Sequence, residues 1–280
     1  MKIGIIGLGL IGGSLAKAIK ENTPHQVLGL DRDPVVVNKA VLLEAIDQPL
    51  TKEELKECDL VIVALYPQAA IDVIREYAPL FKKGSVVMDT CGVKEIVCSA
   101  IAPLAEEHGF CFMGGHPMAG TVHSGFAYSE KALFDNASMV LTPLKGTEIQ
   151  LVDQVKKLCV SIGFTNTQIA SPEEHDQVIA FTSQLAHVVS NAYVKSPAAD
   201  LHQGFSAGSY KDLTRVAKLN EVMWSELFLD NRRPLIQEIE GLIQRLGQYK
   251  NALENQDEEE LKRLLKEGSD RKTQIDGDSL

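Results

Sequence analysis

The sequence predicts an α/β fold in which a largely parallel sheet with helices on both faces is followed by an all-helical domain. Apolar strand-like runs alternate with helical patterns over the first 170 residues. A glycine pattern separates the first such run from the first helical pattern, and no convincing strand pattern follows residue 170. We therefore expect an α/β domain over residues 1–170 and a helical domain over residues 171–280.

The strand predictions rest on short runs that are apolar almost throughout. A strand buried on both faces of a parallel sheet has such a continuous pattern, whereas a strand with one solvated face alternates. The runs are KIGIIG (2–7), QVLGL (26–30), DLVIVAL (59–65), SVVMD (85–89), FCFMG (110–114), SMVLTP (138–143) and TNTQIA (165–170).

The helical part begins with a clear start signal. In SPEEHD (171–176), Ser171 can cap a helix, Pro172 suits its first position and Glu174 completes a capping box. The run VIAFTSQLAHVVSNAYV (178–194) is apolar nearly all round, which predicts a buried helix that packs in part against a second subunit. The polar tail from about residue 255 is expected to fray.

Composition excludes several classes of protein. The formal net charge of −10, from 38 acidic and 28 basic residues, argues against non-specific nucleic-acid binding. No apolar run approaches the roughly 18–20 residues that span a bilayer, and the glycines of the apolar start are too dense for a signal peptide. We therefore expect a cytoplasmic protein with no membrane segment. Five cysteines without a CxxC pair predict free thiols and no metal site.

The glycine pattern Gly7-x-Gly9-x-x-Gly12 follows a strand directly and opens a helix, which is typical of a Rossmann-type dinucleotide site. Gly7 permits the tight turn, Gly9 lets the backbone approach a pyrophosphate, and Gly12 lets helix and strand pack closely. The first helical turn, with Leu10 and Ile11, offers N–H groups to the phosphates.

Asp31 ends the second predicted strand, 24 residues after Gly7. An acidic residue at this position accepts hydrogen bonds from the adenosine ribose and repels a 2′-phosphate, which favours NAD over NADP. Its neighbour Arg32 can serve a 2′-phosphate or lie over the adenine. The cofactor prediction is NAD.

His116 lies in GGHPMAGTVHSG (114–125), just past a predicted strand end. Ligands of such sheets bind outside the carboxyl ends of the strands, so we expect this loop to line the same crevice as the ends of the two preceding strands. Hydride transfer from an alcohol needs a base for the hydroxyl proton, and imidazole suits that role near neutral pH. We expect His175 to be structural, and His187, taken alone, is more typical of the core than of a ligand site.

With these residues together, the chain resembles the prephenate dehydrogenase family of tyrosine biosynthesis. The similar stretches run in the family's order over most of residues 1–235, and HPMAG and D-x-T-R…MW are the specific ones. They are GLGLIGGSLA (7–16), DLVIVALYP (59–67), DTCGVK (89–94), GGHPMAGTVHSG (114–125), QLAHVVSNA (184–192) and DLTRVAKLNEVMWSELFLDN (212–231).

The resemblance implies NAD-dependent oxidative decarboxylation of prephenate to 4-hydroxyphenylpyruvate. It implies that His116 takes the proton of the ring 4-hydroxyl. It also implies that Arg215 holds a substrate carboxylate, that His187 and Thr121 contact the substrate, and that the helical domain forms a homodimer. A guanidinium fork fits a carboxylate with two hydrogen bonds.

The sequence departs clearly from the family pattern at one position. Many relatives have a serine where this chain has Gly92, so the role of that hydroxyl is not carried over. Lys94, at a predicted helix start, either attracts the anionic substrate or faces solvent. Because the pattern after residue 171 is helical, we also expect that the C-terminal ACT domain common in the family is absent.

Three alternatives stay open at the level of sequence. The first is an arogenate or dual-specificity cyclohexadienyl dehydrogenase, which uses the same scaffold. The second is a β-hydroxyacid dehydrogenase, for which Asn191 and Lys195 supply the residue types but not the register. The third is a non-catalytic NAD-sensing regulator, which would need the glycines but not His116 together with Arg215.

Overall fold

The computed structural model describes residues 1–121 and 123–277, whose contacts form two compact units. The first unit comprises Met1–Ile179 together with Lys218–Asn231. The second comprises Ala180–Ala217 and the residues from Arg232 onward. Each unit is thus built from two separate stretches of the chain. The predicted domain boundary after residue 170 stays a prediction.

The first unit is built on one eight-stranded sheet with the order β3-β2-β1-β4-β5-β6-β7-β8. All neighbouring strands are parallel except β6 and β7. The strands are β1 (Lys2–Ile6), β2 (Gln26–Leu30), β3 (Gln48–Pro49), β4 (Leu60–Val63), β5 (Val86–Asp89), β6 (Cys111–Pro117), β7 (Ser138–Pro143) and β8 (Asn166–Ile169). The predicted fold class is confirmed, and only the two-residue edge strand β3 lacked a sequence signal.

Helices cover both faces of this sheet. Along β4, Leu60 and Ile62 join one buried apolar cluster and Val61 and Val63 join another, because successive side chains of a strand point to opposite faces. The helices of the chain are α1 (Leu10–Asn22), α2 (Pro34–Leu42), α3 (Lys52–Leu55), α4 (Pro67–Tyr77), α5 (Glu95–His108), α6 (Ile149–Ser161), α7 (Pro172–Ile179), α8 (Ala186–Tyr193), α9 (Gly208–Thr214), α10 (Glu221–Asp230), α11 (Arg232–Glu254) and α12 (Glu258–Asp276).

The start signal at Ser171 behaves as predicted. The Ser171 hydroxyl accepts the Glu174 N–H at 3.1 Å, and the Glu174 carboxylate accepts the Ser171 N–H at 2.9 Å. This reciprocal capping box fixes the first turn of α7. The fixed turn also orients the side chains of the next two residues, His175 and Asp176.

The apolar run over residues 178–194 is not one fully buried α-helix. A π-helical segment, Ala180–Leu185, separates the end of α7 from α8. Phe181 is 57% exposed and Tyr193 is 46% exposed, so the segment is not fully buried within one chain, and its predicted packing against a second subunit stays a prediction. The reason is that only part of this surface packs against α9 and α11 in the second unit.

The tail is helical where fraying was expected. Asp257 caps α12 by accepting the Glu260 N–H at 2.9 Å. Ion pairs at i,i+4 spacing, such as Lys262 with Glu258 and Lys266 with Asp270, follow the helix. Each exposed pair contributes only about 0.3–0.5 kcal/mol, but the cap, the ion pairs and contact with α11 favour the same structure. No helix in residues 1–121 and 123–277 has the length and apolar character to cross a membrane.

Candidate active site

The glycine loop between β1 and α1 has the shape that a dinucleotide needs. Gly7 has φ +90°, and a Cβ there would lie 2.5 Å from the Ala64 carbonyl oxygen. A Cβ on Gly12 would lie 1.9 Å from the Gly7 oxygen, whereas one on Gly9 would meet no atom within 4 Å. Gly7 and Gly12 therefore permit close backbone packing, and Gly9 leaves the approach to the helix open.

The first turn of α1 presents its N–H groups toward this opening. Gly9 stands at the N-cap position and provides no side-chain cap, and the first intrahelical bond runs from the Gly13 N–H to the Gly9 oxygen at 2.9 Å. The N–H groups of Leu10 and Ile11 therefore have no acceptor within the helix. Together with the positive end of the helix dipole, they fit the pyrophosphate of NAD.

Asp31 lies directly after β2 and beside the glycine loop. Its carboxylate accepts the Leu8 N–H at 2.8 Å and the Asp33 N–H at 3.0 Å, which fixes its orientation. Each carboxylate oxygen keeps a further lone pair for a ribose hydroxyl. Arg32 is exposed at the next position. The observed donor and acceptor set fits the predicted NAD site.

His116 lies within a strand and not after one, which corrects the sequence prediction. Strand β6 continues to Pro117 because it pairs with the antiparallel β7, with His116 opposite Val140. The glycines and the proline around His116 hid this extension in the sequence. A half-buried histidine on a paired strand has a more rigid backbone than a loop residue.

Three side chains form a hydrogen-bonded series that ends at His116. Asp176 Oδ1 lies 2.7 Å from His175 Nδ1, and His175 Nε2 lies 2.8 Å from His116 Nδ1. An ionised Asp176 can only accept, so His175 donates through Nδ1 and accepts through Nε2. His116 then donates through Nδ1, which leaves its Nε2 as the nitrogen with the lone pair. Hydrogen bonding thus selects the tautomer of His116 that suits a base.

Asp176 is itself held firmly. Its two carboxylate oxygens accept the N–H groups of Lys94 and Glu95, at 2.8 and 2.9 Å, at the start of α5. Asn231 donates from Nδ2 to the Asp176 carbonyl oxygen at 2.8 Å. His175 is only 3% exposed and Asp176 only 1%. The carboxylate that orients the histidines therefore also caps a helix of the sheet domain.

Electrostatics favour the neutral form of His116. Burial lowers the pKa of His116 well below its usual value of 6.5, and the neighbouring His175 and the Lys94 ammonium lower it further. The imidazole is therefore uncharged at neutral pH and able to accept a proton.

The lone-pair side of His116 faces Gly92 in the loop after β5. A Cβ on Gly92 would lie 3.8 Å from His116 Nε2 and 3.6 Å from Leu227 Cδ2. The missing side chain leaves Nε2 accessible from this side.

Lys94 lies in the interior of the protein. It therefore neither faces solvent nor offers a free charge to the substrate, the two alternatives that the sequence left open. The Lys94 side chain is fully buried in an ion pair with the equally buried Asp89. Burial favours the neutral amine, but the Asp89 carboxylate outweighs it, and the pKa of Lys94 is raised. Asp89 also accepts the Cys91 N–H at 2.8 Å and so fixes the loop before Gly92.

Thr121 lies exposed in the loop that follows β6. Its hydroxyl lies 3.2 Å from both the carbonyl oxygen and the N–H of His123. The far end of the loop is attached to α1, since Ser14 Oγ accepts the Glu130 N–H at 2.9 Å and Lys17 Nζ donates to the Ser129 oxygen at 2.6 Å. The structure thus connects this loop to the helix of the cofactor site.

The second unit contains the other predicted substrate residues. His187 Nδ1 lies 2.9 Å from the Ser183 carbonyl oxygen, and its pKa is lowered by burial and by the charge of Arg215. Arg215 is exposed and directly follows α9. Asn191 Nδ2 donates to the Ala217 oxygen at 3.0 Å, so the amide that a β-hydroxyacid dehydrogenase would use braces the backbone here. The structure thus places Arg215 and His187 near each other.

Sequence reasoning missed His175 and Asp176 as parts of the site. The only signal was a histidine–acid pair directly after a capping box, and such a pair in a first turn usually faces solvent. Pairing with His116 across 59 residues depends on the packing of α7 against α5. Among the residues that the structure describes, no cluster of three or more His, Cys, Asp or Glu side chains could hold a metal ion.

Comparison with known proteins gives a consistent result over nearly the whole chain. Residues 15–165 match the family model "Prephenate dehydrogenase, nucleotide-binding domain", and residues 171–267 match "Prephenate dehydrogenase, dimerization domain". The chain is 31% identical to a prephenate dehydrogenase of Bacillus subtilis over 276 residues, which are 95% of this chain and 74% of that protein.

Two solved structures are similar over their full length. Arogenate dehydrogenase from Synechocystis has a TM-score of 0.85 at 28% identity, with 98% of this chain and 100% of that chain covered. Prephenate dehydrogenase from A. aeolicus, in complex with hydroxyphenyl propionate and NAD+, has a TM-score of 0.84 at 30% identity, with 98% of each chain covered.

Proposed function

Because this chain belongs to the prephenate dehydrogenase family, we propose that it oxidatively decarboxylates prephenate to 4-hydroxyphenylpyruvate with His116 as the general base. It is an NAD-dependent oxidoreductase. The observation that carries the role of His116 is its series of hydrogen bonds to His175 and Asp176, which leaves Nε2 as a neutral acceptor.

Bound NAD+ supplies the hydride acceptor, held by the loop from Gly7 to Gly12 and by Asp31. His116 Nε2 takes the proton of the 4-hydroxyl as the carbon that bears it loses hydride. The positive charge that then forms on His116 is stabilised through His175 by the Asp176 carboxylate. Loss of the ring carboxylate as CO₂ makes the ring aromatic, which makes the reaction effectively irreversible.

Arg215, His187 and Thr121 are the proposed substrate contacts. Arg215 offers an exposed guanidinium to a substrate carboxylate, and burial together with the charge of Arg215 lowers the pKa of the neighbouring His187. The α5 start is already occupied by the Asp176 carboxylate, so it does not serve a substrate carboxylate.

Arogenate is the second candidate substrate, supported by the similarity to the Synechocystis arogenate dehydrogenase. The test measures NADH or NADPH formation with prephenate and with arogenate, each with NAD+ and NADP+. Prephenate with NAD+ is expected to give the highest kcat/KM. Higher activity with arogenate would support the second candidate, and no activity in any combination would support a non-catalytic NAD-binding role.

We propose a cytoplasmic homodimer that forms through the helical part. A dimerization-domain model matches residues 171–267, and α11 carries exposed aliphatic side chains at intervals of three and seven residues. These are Ile236, Ile243, Leu246 and Leu253. Such spacing places them along one side of a helix, as in helix-to-helix interfaces.

Replacement of Gly92 by valine should block the base. Its methyl groups would extend from a Cβ only 3.8 Å from His116 Nε2, and we expect kcat/KM to fall roughly 10- to 100-fold. Steady-state kinetics with prephenate measure this loss. Gly92→Ala is the matched control, since its Cβ makes only ordinary contacts and most activity should remain. Equal activity of the valine variant would place the substrate elsewhere.

The pH dependence should report a base with a lowered pKa. Only neutral His116 can accept a proton, so activity is lost as the pH falls through the pKa of the free enzyme's base. Because burial lowers this pKa, the acidic midpoint of the kcat/KM profile is expected below pH 6.5. A midpoint above pH 7 would contradict the proposed environment of His116.

A further inference from the structure

Helix α10 contacts the carboxyl edge of the sheet at two neighbouring positions. It belongs to Lys218–Asn231, the late segment that forms part of the first unit. Glu226 Oε1 accepts the Gln68 N–H at 3.0 Å, and Leu227 Cδ2 lies 3.6 Å from the position of a Gly92 Cβ. These contacts bring a helix from far along the chain beside the loop that faces His116.

The bond from Gln68 to Glu226 supplies a cap that α4 lacks locally. Tyr66, at the N-cap position, makes no side-chain cap bond, and Pro67 has no N–H to satisfy. The Gln68 N–H is therefore the first donor of α4, and its acceptor comes from a residue 158 positions later. A carboxylate at this end of a helix also interacts favourably with the helix dipole.

The same bond fixes the next residue, Leu227, beside Gly92. A Cβ on Gly92 would lie within 4 Å of both His116 Nε2 and Leu227 Cδ2, so Leu227 places an apolar methyl group at the border of the space next to Nε2. Such an apolar border limits the water next to Nε2, where water would stabilise the charged imidazolium. The cap on α4 and the apolar contact near the base thus come from adjacent residues of α10.

We propose that Glu226 is a positioning residue, whose cap on α4 holds α10 so that Leu227 lies beside Gly92 and gives the space next to His116 Nε2 an apolar border. The proposal rests on the role of His116 given above. In this role Glu226 does not contact the substrate. Its replacement should therefore change kcat/KM only by moving α10.

The chain contains a built-in reporter for this placement. Trp224 is its single tryptophan, and it lies on α10, where its ring centroid is 5.3 Å from that of Phe228. The experiment compares Glu226→Ala, Glu226→Gln and Glu221→Ala in the full chain. The glutamine keeps an oxygen that accepts the Gln68 N–H. Glu221, exposed in the first turn of α10, is the matched control for loss of an acidic side chain.

We expect Glu226→Ala to shift Trp224 emission to longer wavelength, to increase its quenching by iodide and to lower kcat/KM about tenfold. Glu226→Gln should retain most of the activity, and Glu221→Ala should match the wild type. Thermal melting and NAD+ binding check the fold. Leu227→Ala provides a second test that keeps the cap, and its kcat/KM should also fall about tenfold.

Two results would overturn the proposal. One is a kcat/KM of Glu226→Ala equal to that of Glu221→Ala, and the other is an unchanged kcat/KM of Leu227→Ala. The second result decides the question alone if Glu226→Ala does not fold. An active His116→Asn enzyme would instead overturn the proposed function, so the two failures are distinguishable.

Discussion

Replacement of His116 by asparagine is expected to lower kcat about 1000-fold, within the range that general bases contribute. Asparagine can still form a hydrogen bond with His175, but its amide does not accept a proton near neutral pH. Binding of NAD+ should stay near the wild-type value, because the glycine loop and Asp31 are unchanged. Stopped-flow or steady-state NADH formation measures kcat, and a fluorescence titration measures NAD+ binding.

The matched control for this prediction is His123→Asn. His123 lies in the same segment, where its ring stacks on Tyr128 at 4.5 Å, and it forms no part of the proposed base. We expect this variant to remain active. Equal losses in both variants would indicate a disturbed loop and not a missing base, and an active His116→Asn enzyme would refute the assignment.

Replacement of Arg215 by alanine is expected to raise the KM for prephenate about 10- to 100-fold with a smaller change in kcat. A hydrogen bond to a charged group contributes about 1.5–3 kcal/mol, and each 1.4 kcal/mol corresponds to a factor of ten. The KM for NAD+ should not change. The pKa of His187 should also rise in this variant, since the charge of Arg215 lowers it, and ¹H–¹⁵N NMR of the histidine side chains can measure that rise.

Lys211→Ala tests whether the charge alone matters. Lys211 is an exposed cation on α9, one turn before Arg215, so its removal changes the net charge equally. It should leave the KM for prephenate near the wild-type value. An unchanged KM in Arg215→Ala would mean that the guanidinium faces solvent during turnover. Arg215→Lys should recover only part of the affinity, because an ammonium lacks the planar fork.

Much of the fold was predictable because its signals are local. The seven strand runs and the capping box at Ser171 depend on residues within one element, and each was found where expected. The glycine loop was equally predictable, because a Cβ at Gly7 or Gly12 would collide with the adjacent backbone. The edge strand Gln48–Pro49 was missed because two residues carry no pattern.

The site was predictable only in part, because its important contacts join distant segments. His116 was identified from its place near a strand end, but the strand itself extends past it through pairing with β7. The partnership with His175 and the burial of Lys94 depend on how α7 and α5 pack. The helix from Glu258 to Asp276 was missed for another reason, since its regular ion-pair spacing was taken for a merely polar tail.

Asp176 has a consequence for how this enzyme can be stabilised by mutation. Active-site residues often reduce stability in favour of activity, so their replacement makes the protein more robust but slower. Here one carboxylate holds the first turn of α5 and also orients the histidine pair. Changes at this position should therefore lose thermal tolerance and turnover together. Directed evolution for heat resistance should leave Asp176 unchanged, and the search for stabilising substitutions belongs on surfaces away from it.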